Sequence, residues 1–131
     1  MRKVDKPWGH ELIWASSARY AGKIIVINEG HRLSRQYHEL KEESILVIDG
    51  ELHLELGPDS YHTESQSRIL VEGESYHILP NTVHRFCAPN GDVRLVEVSS
   101  PELHDVVRLE DDYKRVEPRE TPTMNPTRLQ K

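Results

Sequence analysis

Two short stretches of the chain carry residue types that close around a divalent metal ion. SRQYHELKEES supplies Gln36, His38 and Glu43, and LPNTVHRF supplies His84, four residues after Pro80. Imidazole nitrogen with carboxylate or amide oxygen suits a first-row ion, and three or four such ligands with one position left open make a Lewis-acid site. Gln36 and His38 are two apart, so on a strand their side chains point to one face. A single histidine is more often a surface or core residue than a ligand. The reading therefore rests on the grouping Q-x-H-x4-E followed by P-x3-H, with Gly50 closing the first stretch and Gly73 opening the second.

The elements that must position these residues read as strands. Apolar runs rich in β-branched residues occur at 11–15, 23–27, 44–48, 52–56, 68–71, 76–79 and 93–98, punctuated by Asn28-Glu29-Gly30, Asp49-Gly50, Gly57-Pro58-Asp59, Gly73 and Pro89-Asn90-Gly91. Many short strands so spaced point to an all-β sandwich or barrel. Asp49-Gly50 between two apolar runs is the strongest hairpin signal, and a two-residue turn there pairs Val47 with Leu52 and Glu43 with Leu56. Glu43, Ile45 and Val47 then share an inward face with Leu52, Leu54 and Leu56. His53, Glu51 and Glu55 point away, so His53 is not expected to be a ligand. Leu46 and Ile48 face outward and require cover from another layer or a second copy of the chain. Residues 101–115 read as a turn of helix or an irregular strand.

Length and composition bound the rest. The chain of 131 residues suits one domain, expected over 1–116. Residues 117–131 hold several prolines and little apolar surface, and are expected to form a flexible C-terminal tail. No stretch reaches the length needed to cross a bilayer and no apolar leader is visible, so a cytoplasmic protein is expected, with no membrane partner. The lone Cys87 has no partner for an internal disulfide. A formal net charge of −5 argues against nucleic acid, whose phosphate backbone needs a basic face.

The two metal-type stretches match the paired motifs of the cupin superfamily. More specifically, the chain resembles the cupin isomerase domain of type II phosphomannose isomerases, on KPWGHELIWA, GHRLSRQYHELKEESILVIDG, LVEGESYHILPNTVHRF and VVRLEDDYKR, in the family's order. The resemblance implies a cupin double-stranded β-helix, a jelly-roll barrel. It also implies Zn²⁺ or a similar ion (Mn, Fe, Co or Ni) held by Gln36, His38, Glu43 and His84. It implies aldose–ketose isomerisation of a sugar phosphate of the mannose-6-phosphate type, and places the family's basic and terminal arginine positions on Arg85, Arg108 and Arg115. Asn81 and Lys114 stand where the family usually has glycine, and Asn81 tolerates the same left-handed backbone.

Isomerisation needs a cation to polarise a carbonyl, a base to move a proton and a cationic pocket for phosphate. Arg35, Lys41, Arg85 and Arg108 are the phosphate candidates, with Arg85 and Arg108 the expected substrate contacts. Strict alternation turns Arg85 away from His84, so its use requires a bend after Pro80. Glu39, His31 and His77 are the candidate bases, with nothing to choose among them. A non-catalytic cupin binding metal or a small ligand, and a metal-dependent oxygenase, are the alternatives. A homodimer is expected, because Leu46, Ile48, Trp8 and Trp14 need covering.

Overall fold

The computed structural model describes residues 1–115 and builds them from strands, with no helix among the described residues. In chain order these are β1 Arg2–Lys6, β2 Gly9–Ser16, β3 Ala21–Ile27, β4 Arg35–Tyr37, β5 Glu43–Asp49, β6 Leu52–Leu56, β7 Gln66–Leu70, β8 Ser75–Ile78, β9 His84–Cys87, β10 Val93–Ser99 and β11 Val107–Glu110. They form a six-stranded sheet in the order β1-β2-β3-β10-β5-β8 and a five-stranded sheet in the order β11-β4-β9-β6-β7. All pairings are antiparallel.

Period-two alternation explains why these segments sit as they do. Ile45 and Val47 of β5, Leu52, Leu54 and Leu56 of β6, Ile25 and Ile27 of β3, and Val93 and Leu95 of β10 all turn inward and are buried. Each such side chain contributes roughly 1.5–3 kcal/mol by leaving water. Their outward neighbours stay wholly or partly exposed, Leu46 at 40% and Ile48 at 37%. The all-β expectation is met, and residues 101–115 supply strand β11 rather than a turn of helix.

The hairpin expected at Asp49-Gly50 is not formed. β5 pairs with β8 and β10, whereas β6 pairs with β7 and β9 in the other sheet, so Val47 does not face Leu52 across a ladder. The turn instead carries the chain from one sheet to the other. Gly50 takes φ 90°, and a Cβ there would lie 2.3 Å from the Asp92 carbonyl oxygen. A tight, left-handed crossing of this kind wants the same dipeptide as a hairpin turn. The face assignment survives, because it depends on period two alone: Glu43 and Leu56 are buried, while His53 and Glu55 lie on the outer side.

No helix among the described residues is long and apolar enough to cross a membrane. The tail expected at 117–131 lies outside the described residues.

Candidate metal centre

Three strands from both sheets bring the metal-type residues together. His38 follows β4, Glu43 opens β5 and His84 opens β9. Their ligand atoms lie within 4.8 Å of one another. His38 Nε2 is 3.0 Å and His84 Nε2 3.6 Å from Glu43 Oε2, and the two imidazole rings are 5.2 Å apart between centroids. All three side chains are at most 5% exposed. Gln36 stands directly opposite His84 in the β4–β9 register and lines a cavity between the sheets together with His38 and Glu43, its Oε1 accepting the Ser34 hydroxyl at 2.6 Å.

The hydrogen bonds behind the histidines fix which nitrogen faces inward. His38 Nδ1–H donates to the Asp105 carbonyl, and His84 Nδ1–H to the Thr82 carbonyl at 2.8 Å. A carbonyl only accepts, so the proton sits on Nδ1 and each Nε2 offers a bare lone pair. Those two Nε2 atoms and Glu43 Oε2 are buried without a hydrogen-bond partner. Buried polar atoms are nearly always paired, so three orphans converging on one point fit a bound cation. The donor set of two imidazoles, a carboxylate and a nearby amide fits the first-row ions expected from the sequence.

The charges around the centre favour the ligating forms. Burial pushes the Glu43 carboxyl up, but the Lys41 ammonium, the largest opposing influence, helps hold the group well below the usual carboxylate range. Burial, first of all, lowers His84 to about 4, keeping its imidazole neutral. Burial and the charge of Glu43 raise Glu97, against the pull of Lys41, whose Nζ is 3.1 Å from Glu97 Oε2.

Turns tie the two motifs to each other. Asn81 takes φ 67° and donates its N–H to the His38 carbonyl at 2.7 Å, so the left-handed residue after Pro80 joins the second stretch to the first. Lys114, the other residue at a position usually glycine in the resembled family, is also left-handed, at φ 54°.

The remaining candidates separate cleanly. Arg108 and Lys41 line the cavity. Arg85 does not: the turn at Pro80-Asn81 ends before β9 begins, alternation holds from His84 onward, and its guanidinium lies on the opposite side of β9. There Nε donates to the Leu33 carbonyl at 2.8 Å, and the terminal nitrogens reach Glu110 and Asp112. The expected substrate contact is thus replaced by a structural one. Arg35 is held on that same side by Glu55 and Glu110. Of the candidate bases, His31 binds Tyr113 Oη at 2.7 Å, His77 binds Glu42 on the exposed surface, and neither these nor Glu39 line the cavity. His53, turned outward, pairs with Glu51.

Acid–base groups absent from those expectations line the cavity instead: Glu11, Lys23, Glu97, His104 and Lys6. Lys23 Nζ meets Glu11 Oε1 at 3.2 Å, both residues being buried. The signal was available, since Glu11 precedes Ile13, Lys23 precedes Ile25, and Glu97 follows Leu95, each charge falling on the inward period of an apolar strand.

A model of the mannose-6-phosphate isomerase C-terminal family matches residues 1–117. The chain belongs to that family. Among curated relatives, mannose-1-phosphate guanylyltransferase RfbM of Salmonella typhimurium is 27% identical over 113 residues, covering 83% of this chain and 22% of the relative. Xanthan biosynthesis protein XanB of Xanthomonas campestris pv. campestris is 30% identical over 118 residues, covering 87% and 24%. The chain thus spans about a quarter of the length of these members. Solved structures agree on the fold. KdgF from Halomonas sp. superposes with a TM-score of 0.66 at 20% identity, over 77% of this chain and 86% of that one. Capsular polysaccharide assembling protein CapF from Staphylococcus aureus gives 0.72 at 15%, over 83% and 34%. The two sheets are a cupin jelly roll.

Proposed function

We propose that the chain is a metal-dependent cupin acting on a sugar phosphate, interconverting an aldose phosphate and a ketose phosphate in the manner of a mannose-6-phosphate isomerase. The observation that carries this reading is the convergence of His38 Nε2, His84 Nε2 and Glu43 Oε2, buried and unpartnered. Gln36 completes the ligand set, and zinc is the ion this set fits best, Mn, Fe, Co and Ni being the others that take such donors. When bound, the ion supplies Lewis-acid polarisation of the substrate carbonyl and the adjacent hydroxyl.

The chain's own groups do the rest. Isomerisation takes a proton from C2 and returns one to C1, while the hydroxyl proton passes from O2 to O1, with no net oxidation. Glu97, whose carboxyl is raised, the Glu11–Lys23 pair and His104 are among the cavity groups able to hold or hand over a proton. Arg108 lines the same cavity and suits a phosphate. The test is metal analysis of the purified protein, followed by an NMR screen of hexose and pentose phosphates. Interconversion that stops on chelation and returns with zinc supports the reading; a metal-loaded protein that isomerises none of them overturns it.

A further inference from the structure

Arg85 is a buried cation that the metal chemistry does not use. It is 2% exposed, and alternation along β9 turns it to the face opposite His84. A charge so deeply buried is costly unless it is paired and hydrogen-bonded. The guanidinium has three partners: Nε donates to the Leu33 carbonyl at 2.8 Å, and the terminal nitrogens reach Glu110 at 3.4 Å and Asp112 at 3.3 Å. Glu110 ends β11 and Asp112 lies in the turn after it.

That segment is thinly joined to its sheet. β11 is an edge strand whose ladder runs to β4 alone, over Val107↔Tyr37, Arg108↔Gln36 and Glu110↔Arg35, with a register shift between the last two. β4 has three residues and meets β9 at the single register pair Gln36↔His84. Yet the segment bears on the cavity, because Arg108 of β11 and Arg115 of the turn both line it. Asp111 holds Arg115 within the turn at 2.8 Å, so Arg115 goes where the turn goes. An edge with so few ladder bonds opens locally unless side chains hold it.

Other side chains reach the same segment, in different settings. Arg32 meets Asp112 at 2.7 Å, Arg35 meets Glu110 at 3.0 Å and His31 Nδ1 meets Tyr113 Oη at 2.7 Å. The Arg32 side chain is 43% exposed, and surface pairs of that kind hold little because water and salt screen them. Of the three arginines, Arg85 alone is withdrawn from water, anchored on a main-chain carbonyl of the barrel and in reach of both acids.

We propose that Arg85 is a positioning residue: from the far face of β9 it fastens β11 and the turn after it to the barrel, and so fixes where Arg108 and Arg115 stand at the cavity wall. Neighbouring residues of one strand then act on the cavity from two faces, His84 directly and Arg85 through β11. What this does for a sugar phosphate rests on the isomerase reading; the fastening itself rests on the contacts of Arg85.

Hydrogen exchange of the full, zinc-loaded chain tests the fastening without any substrate. In Arg85→Gln, amides of 107–115 exchange about tenfold faster than in wild type, as loss of a charge-assisted hydrogen bond implies, while β6 exchange and zinc affinity stay unchanged. Asp112→Ala, at the exposed end of the same contact, shows the same local rise to a lesser degree and serves alone should Arg85→Gln not fold. Leu70→Ala, a core substitution on β7, is the control: it lowers global stability without a rise confined to 107–115. With mannose 6-phosphate as substrate, KM rises about tenfold in Arg85→Gln and kcat changes by less than about twofold, whereas Leu70→Ala moves neither. Unchanged exchange of 107–115 in both variants, or a rise spread evenly over the chain, overturns the fastening. Faster exchange confined to 107–115, with no turnover of mannose 6-phosphate by wild type, leaves the fastening standing while the mannose-6-phosphate reading falls. Turnover whose KM does not respond to Arg85→Gln keeps that reading and overturns the positioning role.

Discussion

Asp105 grips His38 and the turn that follows it. Its main-chain carbonyl accepts His38 Nδ1–H, and its carboxylate accepts the N–H groups of Glu39, Leu40 and Lys41 at 3.2, 2.6 and 2.9 Å. The segment between β10 and β11 thus orients a metal-type histidine from the far side of its ring. Replacing Asp105 by Ala leaves three N–H groups without their acceptor and should cost about 3 kcal/mol of stability. The loosened His38 should weaken zinc binding by roughly tenfold or more, as loss of an outer partner generally does. Urea denaturation and competitive zinc titration check the two effects separately, and unchanged zinc affinity would show that Asp105 serves the loop alone.

Asp111 gives a pH dependence independent of the metal centre. Burial works to raise its carboxyl, but the Arg115 guanidinium and the N–H groups of Arg115 and Tyr113 pull it down to about 2. A folded pKa below the unfolded value of about 3.8 stabilises fully above the unfolded value and loses that contribution as pH falls toward the folded one. Wild type should therefore exceed Asp111→Asn by about 2 kcal/mol at most above pH 4, with the gap closing between about pH 4 and 2. Urea midpoints of the two proteins across that range test this. A gap that is constant with pH would contradict it.

The outer face of the six-stranded sheet bears on association. Leu12, Ile24, Val96 and Leu46 are successive cross-strand neighbours, forming an apolar row over four strands. Trp14 at 47%, Leu46 at 40%, Ile48 at 37% and Val98 at 48% exposure enlarge it, with the Trp14 indole lying close over Gly22. Trp8 is no part of this face, being 2% exposed within the core. A homodimer through this surface is expected at micromolar concentration, and Leu46→Glu should shift it to monomer without unfolding the chain. Light scattering decides it, and a monomeric wild type would contradict the expectation.

What could be read from the sequence followed the strength of the local pattern. β3, β5, β6 and β10 stand out because they carry dense apolar runs rich in β-branched residues or, in β6, apolar residues at every second position. The short strands β4, β9 and β11 carry RQY, HRFC and VRLE, and β1 carries RKVDK, none of which alternates apolar with polar clearly. Their places come from pairing with stronger neighbours, which no local period reveals. The same holds for Asp49-Gly50, where a crossing between sheets and a hairpin call for one turn chemistry. At the site, His38, Glu43 and His84 were legible from residue type and spacing. The direction of Arg85 was legible from alternation, which argued against the role that the family resemblance suggested. Glu11, Lys23 and Glu97 lie far apart in sequence and converge only when β2, β3 and β10 are laid side by side.

Metal content of four purified proteins tests the centre most directly. Wild type, His38→Ala, His84→Ala and His53→Ala should all fold, because a core of Ile, Leu and Val does not need the ion as a zinc finger does. After equilibration with zinc and removal of the excess, elemental analysis should find stoichiometric metal in wild type and in His53→Ala. Little or none should remain in His38→Ala and His84→Ala. A wild type that retains no divalent ion, or a His38→Ala variant that retains it while His53→Ala does not, would contradict the placement of the metal between β4, β5 and β9.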